Sequence, residues 1–95
     1  MDIAYWRKRI DEIDTQLAEL LSERSSCVIE IGKIKRKRDL PVYDPERERE
    51  ILSRVTRDNR GPLDNEALKR LFEKILDESR RVERLTLEGK ANRGG

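Results

Sequence analysis

Histidine is absent from this 95-residue chain, and cysteine occurs once, at Cys27. Without an imidazole there is no Ser–His pair to activate a nucleophile, and a zinc site of the usual His and Cys ligands is excluded in practice. One cysteine forms no disulfide within the chain and fits the reducing cytoplasm, the compartment expected here. Its place on an apolar stripe marks it as a buried thiol. Aromatic residues make up 4% of the chain and apolar residues 35%, below the usual globular share. No apolar run is long enough to cross a bilayer, and a start carrying Asp2, Arg7, Lys8 and Arg9 does not read as a secretory signal. Glycine and proline are sparse, and no glycine-rich phosphate loop occurs. Neither a metal nor a cofactor is expected.

Charge is what the chain has in quantity. Charged residues reach 44%, yet the net charge is only +2, so no strong global pull toward nucleic acid or a membrane arises. A single chain of this size buries a modest fraction of its surface. With so few apolar residues, association with a second copy is the natural remedy.

The punctuation divides the chain into three helices, long, short and medium, and no strands. The first spans about residues 3–37, stopped by Leu40-Pro41. Gly32 inside it is a weakness of about 1 kcal/mol that marks a close backbone approach. The second opens on Asp44 as N-cap with Pro45 behind it and runs to about Asp58. Asn59-Arg60-Gly61-Pro62 is a turn, and the third runs from Asp64 to about Leu87. The class is all-α. Residues 1–88 form one helical domain, with 89–95 a disordered tail or trimmed linker.

The first helix carries a heptad seam: Ile3, Trp6, Ile10, Ile13, Leu17, Leu20, Arg24, Cys27, Ile31 and Ile34. The steps alternate three and four, so one stripe holds them all. Arg24 is the one charged member. A buried cation costs several kcal/mol unless an anion meets it, either a side chain or a ligand. A helix of 35 residues spans about 50 Å, whereas a compact domain of this size has a radius of gyration of about 13 Å. The helix therefore protrudes, its seam exposed until a second copy covers it. An intertwined helical homodimer is expected.

Other polar residues lie on faces that point inward. Lys35 follows Arg24 by almost three turns, about 16 Å along the axis, so the two share a face. Arg7 precedes Lys35 by about 42 Å, and no small molecule bridges that span. If both serve one site, Arg7 comes from the other subunit. On the second helix Glu48 shares a face with Ile51, Leu52 and Val55, beside Arg47. On the third, Leu68, Phe72, Ile75, Leu76 and Val82 form the buried stripe, with Ser79 in its middle and Glu83 one turn on. Singly, each has an ordinary reading: a solvated charge, or a serine bonded to its own helix. Together they describe a cation-rich pocket inside a helical bundle, suited to a small polycarboxylate with hydroxyl or ether groups.

At this point the chain resembles the all-helical class of chorismate mutases. The resemblance rests on Trp6-Arg7, Ile10-Asp11, Ile13-Asp14, Leu20-Leu21 with Arg24, and Ile31-Gly32-Lys33-Ile34-Lys35. Val42-Tyr43-Asp44-Pro45-Glu46-Arg47-Glu48 and Leu71-Phe72 with Ile75 and Ser79 complete it. It implies an intertwined dimer with two sites, each receiving Arg7 from the partner. The implied reaction is the unimolecular rearrangement of chorismate to prephenate, on the route to phenylalanine and tyrosine, with no cofactor. It further implies that Arg24 and the partner's Arg7 take the two carboxylates, and that Lys35 reaches a carboxylate and the breaking ether oxygen. Glu83 faces the same oxygen. Glu48, with the backbone near Asp44, receives the ring hydroxyl, and Ser79 and Arg47 support. Relatives carry Gln or Glu at the position of Glu83. A glutamate donates a hydrogen bond only when protonated, so activity is expected to fall as pH rises.

Three other readings compete. An isochorismate-pyruvate lyase shares the implied fold, but Glu48 stands where such lyases are apolar. A nucleic-acid-binding dimer is suggested by Lys33-Ile34-Lys35-Arg36-Lys37-Arg38, a short run without interleaved aromatics. Its plainer account is a helix end whose cations favour the C-terminal dipole. The last is a non-catalytic dimerisation or regulatory module. The partners expected are chorismate, a second copy of the chain, and a second shikimate-pathway enzyme as fusion or complex.

Overall fold

The computed structural model describes residues 2–89, so the expectation of a disordered tail falls, from residue 90 onward, outside the described residues. Three helices follow in order: α1 (Ile3–Arg38), α2 (Pro45–Arg57) and α3 (Asn65–Leu87). Each opens on an aspartate whose carboxylate accepts an orphan backbone N–H. Asp2 takes the N–H of Tyr5 at 3.1 Å, Asp44 that of Arg47 at 3.1 Å, and Asp64 that of Ala67 at 2.7 Å. Pro45 begins α2, where its missing N–H loses nothing. α1 ends with Asp39 in the left-handed region at φ 54°, its N–H returned to the Lys35 carbonyl. The last turn of α1 holds Lys35, Arg36, Lys37 and Arg38, cations at the negative end of the helix dipole.

α3 packs against both other helices. Each helix supplies one residue to a small core: Val28 from α1, Ile51 from α2 and Leu76 from α3. A second contact lies toward the C-terminal ends of α1 and α3. There Thr86 is buried, its hydroxyl donating to the Val82 carbonyl at 2.9 Å. A Cβ on Gly32 would stand 2.9 Å from both Cβ and Cγ2 of Thr86. Gly32 therefore does mark a close approach, between α1 and α3.

The stripe of α1 that meets the rest of the chain adjoins the heptad seam. Val28 and Gly32 are buried, and Arg24, Ser25, Ile29 and Lys35 are half-buried. Apart from Arg24 and Ile31, the seam itself faces outward: Trp6 is 55% exposed, Ile10 54%, Leu17 51% and Leu20 62%. Cys27 goes with it and is exposed rather than buried, because its stripe is turned from α3. The molecule measures 54 × 32 × 15 Å with a radius of gyration of 16.2 Å, more extended than the compact expectation.

Candidate active site

A cavity of about 280 Å³ opens where the three helices converge. α1 brings Arg24, Val28, Ile31 and Lys35 to its wall; α2 and the segment before it bring Val42, Asp44, Arg47, Glu48 and Ile51. α3 adds Leu76, Ser79, Arg80 and Glu83. A second hollow of about 300 Å³ continues past Arg24 and Ser79 along Leu21, Ser25, Lys74, Ile75 and Glu78.

Of the residues expected from sequence, Arg24, Lys35, Asp44, Arg47, Glu48, Ser79 and Glu83 meet in this one cavity. Arg7 does not line it and is exposed near the far end of α1. Ser79 reconciles both of its readings: its hydroxyl donates to the Ile75 carbonyl at 2.9 Å and accepts from Arg24 Nη1 at 2.5 Å. Arg24 thus has an anchor but, among the described residues, no carboxylate partner. A guanidinium has five N–H donors, so most of its capacity remains.

Lys35 and Glu83 form the most buried ion pair, Nζ to Oε1 2.7 Å, with side chains 16% and 12% exposed. Lys35 Nζ also donates to the Val42 carbonyl at 3.1 Å, which ties the segment before α2 to α1. An ammonium has three donors, so capacity remains for a ligand. Oε1 of Glu83 is buried and, its ion pair aside, accepts no well-aligned hydrogen bond.

Asp44 is occupied as the cap of α2, and Arg47 pairs with Glu50 one turn on, at the exposed rim. Glu48 does not pair with Arg47 beside it. Its Oε2 accepts from Arg80 Nη1, across from α3. Arg80 is the cavity residue that sequence reasoning missed. The signal was available: it follows Leu76 by four residues and precedes Glu83 by three, on the same inward face.

The wall therefore presents Arg24, Lys35, Arg47 and Arg80 against Asp44, Glu48 and Glu83, with the Arg24 guanidinium lacking a carboxylate. Such a site can hold and orient a compact anion bearing a hydroxyl. Among the described residues no cluster of His, Cys, Asp and Glu could hold a metal ion, and no helix is long and apolar enough to cross a membrane.

Comparison with known proteins gives the family and the fold. The family model "Chorismate mutase type II" matches residues 6–84. The bifunctional chorismate mutase/prephenate dehydratase of Pseudomonas aeruginosa is 43% identical over 75 residues, covering 74% of this chain and 20% of that one. The chain thus spans about a fifth of that curated relative. Among solved structures, form II of chorismate mutase from Thermus thermophilus superposes with a TM-score of 0.85 at 39% identity, covering 86% of this chain and 93% of that one. The Helicobacter pylori chorismate mutase in complex with prephenate gives 0.83 at 30% identity, covering 90% and 93%. The cavity between the three helices is thus the candidate site of a chain that belongs to the type II chorismate mutase family.

Proposed function

We propose that this chain catalyses the rearrangement of chorismate to prephenate, in the cytoplasm, as a homodimer whose two sites each take Arg7 from the partner. The observation that carries the reading is the Arg24 guanidinium, anchored by Ser79, facing the cavity without a carboxylate of its own. The two carboxylates of a chorismate dianion supply the missing charge. Arg24 binds one of them and the partner's Arg7 the other. Fixed at both ends, the substrate is held with its enolpyruvyl arm over the ring, the conformer that reacts.

As the ether C–O bond breaks, negative charge grows on that oxygen. Lys35 answers it with its ammonium, already aimed by Glu83 and the Val42 carbonyl. Glu83 faces the same oxygen from the other end of its ion pair with Lys35. Glu48 accepts the ring hydroxyl, with the backbone near Asp44 behind it, and Arg47 closes the rim. A unimolecular rearrangement needs no nucleophile, metal or redox group, in keeping with a chain that has no histidine.

The outward seam of α1 supports the homodimer, because Trp6, Ile10, Leu17 and Leu20 are half or more exposed in the single chain. The Pseudomonas relative joins two activities in one chain. We infer by analogy that a second shikimate-pathway enzyme, fused or separate, consumes the prephenate made here.

Purified protein mixed with chorismate and followed by product analysis tests the reading. Prephenate is the expected product. No turnover of chorismate, or release of pyruvate from isochorismate in its place, sinks it.

A further inference from the structure

Glu48 poses an electrostatic problem for any site that admits a dianion. Its side chain is 21% exposed and lines the same cavity as Glu83. Glu83 is met by Lys35. Glu48 is met by Arg80, itself 25% exposed. Arg80 is held from two further directions. Its Nη2 donates to Asp77 one turn back on α3, and the guanidinium lies 5.8 Å from the centroid of the Tyr43 ring, in the segment before α2. Three parts of the chain therefore converge on one cation. The Glu48 hydrogen bond and charge, followed by Asp77 and Tyr43, raise the already high pKa of Arg80, against burial, which lowers it. Arg80 stays charged at every working pH.

We infer that Arg80 is a positioning residue for the reaction proposed above: it fixes the Glu48 carboxylate toward the cavity and cancels its charge, so that the carboxylate accepts a ring hydroxyl without repelling an anionic substrate. The inference rests on the chorismate reading. If Arg80 is lost, Glu48 becomes a half-buried carboxylate without its partner. It adds an uncompensated negative charge beside the bound dianion. It is also free to turn toward Lys35 or Arg24 and take up a cation that the substrate needs. Both effects weaken substrate binding more than the chemical step, so KM carries the loss. Asp77 is 55% exposed and anchors the guanidinium without facing the cavity in the same way.

The test is a double-mutant cycle on chorismate turnover. Arg80→Met keeps the apolar stem and removes the charge. It is expected to raise KM about tenfold or more, with kcat within about threefold of wild type. Arg80→Lys restores charge and recovers much of that KM. Glu48→Gln lowers activity by itself, but in that background Arg80→Met is nearly silent in KM, because no stranded carboxylate remains. This non-additivity is the signature of the pair. If Arg80→Met raises KM as much in the Glu48→Gln background as in wild type, Arg80 acts through the fold and the inference is overturned. Should Arg80→Met not fold alone, the Glu48→Gln background and Arg80→Lys decide in the same sense. A wild type that turns over no chorismate sinks the reading and the inference together. An active wild type with an additive cycle sinks the inference alone.

Discussion

Arg24 is the cavity cation whose charge the described chain leaves for something else to meet, and that asymmetry governs what its replacement does. In Arg24→Leu a half-buried guanidinium gives way to the apolar residue that the heptad expects. Removing a desolvated cation without a carboxylate is neutral or stabilising, so thermal unfolding should leave the midpoint unchanged or raised while turnover falls about a hundredfold or more. A variant that loses both stability and activity would make Arg24 a structural residue. Lys35 has the opposite balance, since Lys35→Ala strands Glu83 in a site only 12% exposed. Its kcat should fall at least about a hundredfold with some loss of stability. Glu83→Gln removes the carboxylate paired with Lys35 and puts a permanent N–H donor in its place; turnover should persist in that variant, and its loss rejects a donor role at the position. Arg24, Lys35, Glu48, Ser79 and Glu83 were legible as sequence because each breaks an apolar period. Arg80 carried the same kind of signal, by its spacing from Leu76 and Glu83, but among the many charges of α3 its role shows only once its partner on α2 is seen.

Gly32 matters through the two helices it lets approach. Alanine is better than glycine in a helix by about 1 kcal/mol, yet here its methyl would meet the β-branched Thr86 at 2.9 Å. Thr86 is buried and bonded to its own helix, so it cannot swing aside, and α1 and α3 must part. Overpacking of this kind costs about 1–3 kcal/mol, which exceeds the propensity gain. Gly32→Ala should lower the unfolding midpoint; an unchanged or higher one means that the helices separate freely. Gly32 lies one turn before Lys35 and Thr86 one turn after Glu83, so the same strain reaches the ion pair, and kcat should fall with stability. The three helices were readable from aspartate caps, Pro45 and the Asn59–Pro62 turn, all local chemistry. Which stripe of α1 faces α3 was less so. The heptad seam and the stripe through Val28 and Lys35 adjoin, and periodicity alone does not say which is covered within the chain and which is left outside.

At the scale of the whole molecule the few buried residues leave a long helix with an uncovered apolar face, and Arg7 near its end is remote from its own cavity. If the partner supplies Arg7, then Arg7→Ala and Lys35→Ala, each nearly inactive, should complement one another. A mixed dimer places both lesions in one site and none in the other. Refolding equal amounts together should restore about a quarter of wild-type activity, since half of the dimers are mixed and each has one intact site. Absence of recovery in a confirmed mixed dimer places Arg7 outside the site. The end of α3 carries one more consequence. Gly89 closes against the Arg36 side chain, where a Cβ would stand 3.3 Å from Nη1, and it follows Glu83 by only six residues, about 9 Å of helix rise. Whatever is tethered to this end of the described fold, whether a fusion partner, an affinity tag or a surface linker, is attached within about 9 Å of helix rise of Glu83, on the side of Arg36. An attachment before Ile3 departs from the opposite end of α1, beside the other subunit's site in the proposed dimer.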